Sequence, residues 1–140
     1  MEDCIFCRIV AGQAPASMIY RDEFVAAFMD IQPVNPGHVL VTPVQHATFL
    51  ADLDPEVGAQ MFKISQRIST GLFNSGIRCE GTNLFLANGA PAGQDVFHVH
   101  LHIFPRYRGD GFGLRFGLAY GTRPPREELD ALSRQIRSAM

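Results

Sequence analysis

The residues best suited to chemistry lie in His98-Val99-His100-Leu101-His102, where three of the chain's five histidines alternate with apolar side chains. A period of two is the pattern of a half-buried strand, read here over 98–104. Residues two apart share a strand face, so the imidazoles line one side while Val99, Leu101 and Ile103 anchor the other in a core. At about 3.3 Å per residue, same-face neighbours stand roughly 6.6 Å apart and the outer pair about 13 Å apart. Two adjacent rings can reach one ion, but three on a straight strand can hardly share it. The row must serve at least two sites.

Three chemistries are open to such a row. The rings can be satisfied core or surface histidines. Two of them can bind a metal, since neutral imidazole is the commonest metal ligand. Or one can act as a nucleophile while its neighbours orient it and bind an anion. The lead-in, Asn88-Gly89-Ala90-Pro91-Ala92-Gly93-Gln94-Asp95-Val96-Phe97, favours the third. Glycine lets backbone approach a ligand, and successive N–H groups form an anion-binding concavity.

Several elements must position this row. Residues 18–21 and 24–29 read as a hairpin turning at Asp22-Glu23, and 38–42 as the next strand after the turn-rich 32–37. Asp54-Pro55 opens a helix over 55–73, with aspartate as N-cap and proline at the first helical position. Val57, Met61, Ile64, Ile68 and Leu72 form its apolar stripe. Residues 82–88 read as the strand before the glycine loop. A tail helix spans 126–139, acidic early and basic late as the helix dipole prefers, with Leu129, Leu132 and Ile136 on one face. Arg106, Arg108 and Arg115, interleaved with glycines, read as a mobile basic segment after the row.

At 140 residues the chain is expected to be one domain, with a core over 4–105 and an extension over 106–140. A net charge of −2 offers no basic face, which argues against a nucleic-acid partner. Any phosphate recognition must be local. No apolar run suits a membrane, and acids rather than a basic run follow Met1, so a cytosolic location is expected. Cys4 and Cys7 form a CxxC, which in a reducing compartment points to metal or redox chemistry; two unliganded thiols are the plain alternative. A closed structural zinc site needs four N or S ligands, and His98, at the row's far end, is free to be one. Cys79, with no sequence partner, reads as a small buried hydrophobe.

The segment from Gly93 to Ile103 resembles the signature of the histidine triad family of nucleotide-binding hydrolases and transferases. Asn88-Gly89, Pro105-Arg106-Tyr107, Asn35-Pro36-Gly37-His38-Val39-Leu40-Val41-Thr42-Pro43 and Cys4-Ile5-Phe6-Cys7-Arg8-Ile9 are similar to its other motifs, in its order. The resemblance covers roughly the first 105 residues. It implies an α+β fold, a five-stranded antiparallel sheet with the 55–73 helix packed on it, and a homodimer with a continuous sheet.

The resemblance also implies roles. His100 attacks the α-phosphorus of a purine nucleotide conjugate, giving a nucleotidyl-histidine that water cleaves; it is the ring with a same-face neighbour on both sides. His102 donates to a phosphate oxygen. Gly93, Gln94 and the N–H groups around Asp95 and Val96 hold the phosphate. Asp30 and Asn88 bind the sugar, Phe28 and Ile31 wall the base, and His38 packs beside the row. Cys4, Cys7, His46 and His98 hold a structural zinc. Position 95 departs from the family's usual Ser or Thr: an ionised Asp95 cannot donate and adds negative charge beside a phosphate. Dinucleoside polyphosphate and nucleoside phosphoramidate cleavage both stay open. The rivals are a non-catalytic nucleotide-binding regulatory module and a metal-dependent hydrolase.

Overall fold

The computed structural model describes residues 3–140. Five strands form one antiparallel sheet: β1 (Met18–Arg21), β2 (Val25–Met29), β3 (Val39–Pro43), β4 (Gly81–Phe85) and β5 (Leu101–Arg106), in the order β1-β2-β3-β5-β4. Helix α1 (Ile5–Val10) precedes the sheet, α2 (Pro55–Asn74) lies between β3 and β4, and α3 (Arg126–Ala139) ends the chain. This is the α+β architecture expected from the sequence.

Strand alternation divides the side chains between two faces. Directly opposed residues share a face, so the pairings Met29↔Val39, Val39↔Ile103 and Leu84↔Ile103 make one row across four strands. Val39 and Ile103 of that row, with Val25, Ala27 and Val41, pack in a core with Met61, Ile64 and Leu72 of α2. The stripe expected of α2 is therefore the one it buries. Its start is also as expected: Pro55 leads the helix, and the Asp54 carboxylate accepts from the N–H of Glu56 at 2.8 Å.

The opposite face carries the row Phe28–Leu40–His102–Phe85, fixed by the pairings Phe28↔Leu40, Leu40↔His102 and Phe85↔His102. The short α1 is the one helix packed on it among the described residues: Phe6 packs against Phe28 and Leu40 in a small second cluster that Val96 also joins. A six-residue helix cannot roof a five-stranded sheet. The uncovered part of this face is where the functional groups collect.

Two boundaries differ from expectation. The histidine strand begins at Leu101, not at 98, so His98 and His100 lie just ahead of the ladder. Continuing the register Val41↔Leu101 would set Val99 against Pro43, and proline has no N–H to give the ladder. Val99 instead donates to the carbonyl of Ala47 at 2.7 Å. On the other side β4 stops at Phe85, opposite His102, so Asn88 lies in the following loop and not at a strand end. The residues between β5 and α3 are mostly irregular, with short turns at 108–109 and 118–121, and the residues of α3 are all exposed, including Leu129, Leu132 and Ile136.

Candidate active site

A cavity of about 420 Å³ opens on the face under α1. Apolar residues of α1 and the segment after it wall one side, together with Phe28, Leu40 and Val96; Asp30, Asp95, His100 and His102 supply its polar edge. A second cavity of about 410 Å³ lies between α2 and the sheet, but it gathers no comparable set: Tyr20 and Arg67 are its titratable side chains.

The hydrogen bonds of His100 fix its tautomer. Its Nδ1 lies 2.8 Å from the carbonyl oxygen of His98. A carbonyl only accepts, so Nδ1 carries the proton and Nε2 keeps a bare lone pair. That Nε2 stands 3.7 Å from the Asp95 carboxylate, whose side chain is 83% exposed.

His102 takes the other tautomer. The Val34 N–H donates to His38 Nδ1 at 3.0 Å, which leaves the proton of neutral His38 on Nε2. His38 Nε2 lies 2.8 Å from His102 Nδ1 and donates to it. His102 therefore holds its own proton on Nε2. Burial, followed by the neighbouring His100 and His38, pushes the His102 pKa down to about 4, so near neutrality the ring is an uncharged donor. Burial also lowers His38, against the opposing charge of Asp30. A bare imidazole nitrogen and an imidazole N–H thus sit side by side, the ring centroids 4.9 Å apart.

The third ring of the row faces elsewhere. His98 donates from Nε2 to the Pro43 carbonyl at 2.8 Å, leaving Nδ1 bare. Nδ1 lies 3.4 Å from Cys4 Sγ and 3.5 Å from Cys7 Sγ, and His46 Nδ1 lies 3.3 Å from Cys7 Sγ. All four donor atoms fall within 4.8 Å of one another. A tetrahedral ion at usual Zn–S and Zn–N lengths sets S and N about 3.6 Å apart, so the donors fit zinc in number, type and spacing. The Phe6 ring stands edge-on to both His98 and His100 and separates this cluster from the cavity.

A family model described as HIT domain matches residues 11–109. The chain belongs to the HIT domain family. A HIT family protein from Bacillus anthracis has the same fold, with a TM-score of 0.90 at 36% identity over 99% of this chain and 98% of that one. A zinc-bound histidine triad family protein from Mycobacterium smegmatis is 40% identical, with a TM-score of 0.77 over 99% of both chains. An adenosine 5'-monophosphoramidase of Schizosaccharomyces pombe is 35% identical over 136 residues, 96% of this chain and 96% of its own.

Within this HIT domain the expected site residues fall into three groups. Phe28, Asp30, Ile31, Asp95, Val96, His100 and His102 line the cavity, with Ile31 at its open rim, 94% exposed. Cys4, Cys7, His46 and His98 gather beside it. Asn88, Gly93 and Gln94 are not among the residues that line it. The Gln94 amide donates to the Thr48 and Val96 carbonyls at 2.8 and 3.2 Å, and its oxygen accepts from the Gly89 N–H at 2.8 Å. Asn88 accepts from the Leu50 N–H at 3.0 Å. Gly93, at φ 98°, supplies the left-handed turn that only glycine adopts freely. The Val96 N–H is taken by the Asp95 side chain at 2.9 Å.

Sequence reasoning missed α1. Its apolar positions at 5, 6, 9 and 10 carry helical spacing, but they overlap the CxxC, whose spacing points to metal or redox chemistry. Ile5, Phe6 and Ile9 form one wall of the HIT cavity.

Proposed function

We propose that this HIT domain is a nucleotide hydrolase that cleaves at the α-phosphate of adenine-type nucleotide conjugates through a covalent intermediate on His100. The observation that carries the reading is the pair of opposite tautomers, a bare Nε2 on His100 beside an N–H on His102. A nucleophile needs the first, and a phosphate gaining negative charge needs the second. The His100 Nε2 lone pair forms the N–P bond as the bond to the leaving group breaks. The positive charge that develops on the ring is stabilised through Nδ1–H by the His98 carbonyl, as a third group orients and stabilises the base in a triad. His102 Nε2–H donates to a non-bridging oxygen. Water then cleaves the N–P bond, releasing the nucleoside monophosphate and free His100.

Asp30 accepts from the sugar hydroxyls, a task suited to a carboxylate's lone pairs. Phe28 and Ile31 wall the base together with α1. Gln94, Asn88 and Gly93 act at one remove by fixing the loop that carries Asp95 and Val96. Cys4, Cys7, His46 and His98 hold zinc, which when bound supplies a cross-link between the chain's start and the approach to β5. The zinc-bound relative supports this assignment.

The cavity's charge favours one leaving-group class. Among the described residues, its lining includes the carboxylates of Asp30 and Asp95 but no lysine or arginine. An anionic polyphosphate leaving group meets repulsion there, and an amine does not. This favours phosphoramidates, in line with the name of the Schizosaccharomyces pombe relative. Adenosine 5'-phosphoramidate, incubated with the protein and analysed by chromatography, is expected to give AMP, with the reaction lost in His100→Ala. Wild-type release no faster than that of the variant would reduce the protein to a nucleotide-binding module.

A homodimer formed at the sheet edge belongs to the same proposal. The edge strand β4 leaves Leu84 and Phe85 part-exposed, and pairing with a second β4 would satisfy its open backbone groups. Sedimentation is expected to give a dimer.

A further inference from the structure

The cavity of about 410 Å³ between α2 and the sheet is apolar along most of its length. Its floor is Val39 of β3 with Ile64 and Leu72 of α2, all buried in the main core. Ile64, Ile68, Gly71 and Ser75 line it from α2, at i, i+4, i+7 and i+11, which is one helix face. The two isoleucines fill that face with large side chains. At Gly71 a Cβ would meet nothing within 4 Å. Close packing does not call for glycine there, and glycine weakens a helix relative to alanine. Its missing side chain leaves the groove open.

The groove's only charged side chain among the described residues is Arg67, one turn before Gly71. Its guanidinium lies 5.5 Å over the Tyr20 ring, and no described carboxylate pairs with it. Asp22, beyond Tyr20, is already engaged. Its Oδ2 accepts from the Tyr20 hydroxyl and the Gln60 amide at 2.7 and 2.9 Å. Its Oδ1 accepts from the N–H groups of Phe24 and Val25, both at 2.7 Å. A planar fork of donors held against an aromatic ring suits a carboxylate, which it can meet with two parallel hydrogen bonds.

We propose that this groove binds a free monocarboxylate with an unbranched apolar tail, a medium-chain fatty acid. Its carboxylate sits on Arg67 and its tail runs past Gly71. From Arg67 to Ser75 the helix rises about 12 Å. That is the length of about nine carbons in an extended chain, at about 1.3 Å for each bond of about 1.5 Å. A cationic head would meet like charge at Arg67, and a dianion would find no second cation. None of the residues assigned to the nucleotide or to zinc lines the groove, so the proposal is independent of the hydrolase reading.

The test titrates decanoate, below its micelle concentration, into the full chain while amide and methyl spectra are recorded. Decylammonium and decanol serve as controls. Saturable shifts are expected at Ile19, Gly71 and Ile77, with decanoate tighter than decylammonium. Octanoate, two methylenes shorter, should bind about tenfold more weakly. Arg67→Gln should weaken decanoate about tenfold, the scale of a hydrogen bond to a charged group, and leave decanol unchanged. Gly71→Leu should fill the groove and abolish binding without lowering the melting temperature. Should that variant fail to fold, the Arg67→Gln arm decides by itself. No saturable shift with decanoate, equal affinity for decanoate and decylammonium, or undiminished binding in either variant overturns the proposal. Shifts of the same resonances with protein concentration alone would give the groove to a second copy of the chain and overturn it as well.

Discussion

The Nδ1 of His100 donates to the carbonyl of His98 at 2.8 Å, while the ring of that same His98 turns its bare Nδ1 to the two cysteine sulfurs. One residue thus offers its backbone to the proposed nucleophile and its side chain to the proposed metal. The first contact does not need the second. Val99 is tied to Ala47 and the His98 ring to Pro43 by hydrogen bonds independent of any ion.

Chelation is therefore expected to weaken the fold before it weakens catalysis. Removing zinc leaves four buried or half-buried donors without a common partner. A loss of about 2–3 kcal/mol, lowering the melting temperature by about 10 °C, is the scale for a domain of this size. Scanning calorimetry with and without chelator, paired with turnover well below the lowered transition, checks it. Immediate and complete loss of turnover in still-folded protein would place the metal in the chemistry.

The buried histidines give stability a defined pH dependence. In the folded state burial pushes the His102 pKa down to about 4 and also lowers that of His38; the value for an unfolded histidine is about 6.5. Between these values the unfolded chain binds more protons than the folded one, so stability falls as pH drops below about 6.5 and levels off only below the folded values. Urea midpoints measured from pH 8 to about 4 are expected to decline through this window, and less steeply in His102→Gln. A flat profile would mean these rings are solvated.

Gln94 illustrates what the sequence could and could not convey. The alternation from His98 to Ile103 and the stripe from Val57 to Leu72 are local periodicities, and the faces they imply follow from backbone geometry alone. Gln94 carries no such signal. Beside two glycines and a histidine row it reads as a phosphate donor, whereas its amide spans Thr48, Val96 and Gly89, contacts set by how the loop folds back. The approach of Asp30 to His38, at 3.5 Å, is hidden for the same reason: it depends on the register of β2 against β3. Sequence patterns report the face a residue occupies, and cross-strand register decides what it meets there.

Those three contacts make Gln94→Glu a sharp test of the loop. A glutamate at this position keeps the shape but turns two donations into repulsions with the Thr48 and Val96 carbonyls. Leaving buried groups unsatisfied costs about 2–4 kcal/mol. Both the urea midpoint and turnover are expected to fall, since the loop positions Asp95 and Val96. Unchanged stability with slow turnover would restore Gln94 to the phosphate.

Asp95 offers the reverse case, a substitution expected to leave the fold intact and redirect the chemistry. Its side chain is mostly solvent-exposed, and its carboxylate stands 3.7 Å from the His100 nitrogen that attacks phosphorus. Any leaving group departing on that side passes a negative charge. Asp95→Ser removes the charge and supplies a hydroxyl donor. The ratio of kcat/KM for diadenosine tetraphosphate to kcat/KM for adenosine 5'-phosphoramidate should rise, by at most the roughly fivefold effect that one unit charge exerts at about 4 Å in water. Because the site faces solvent, added salt should shrink the difference between wild type and variant. A ratio that does not move on losing the charge would show that the leaving group departs from another side of the phosphorus.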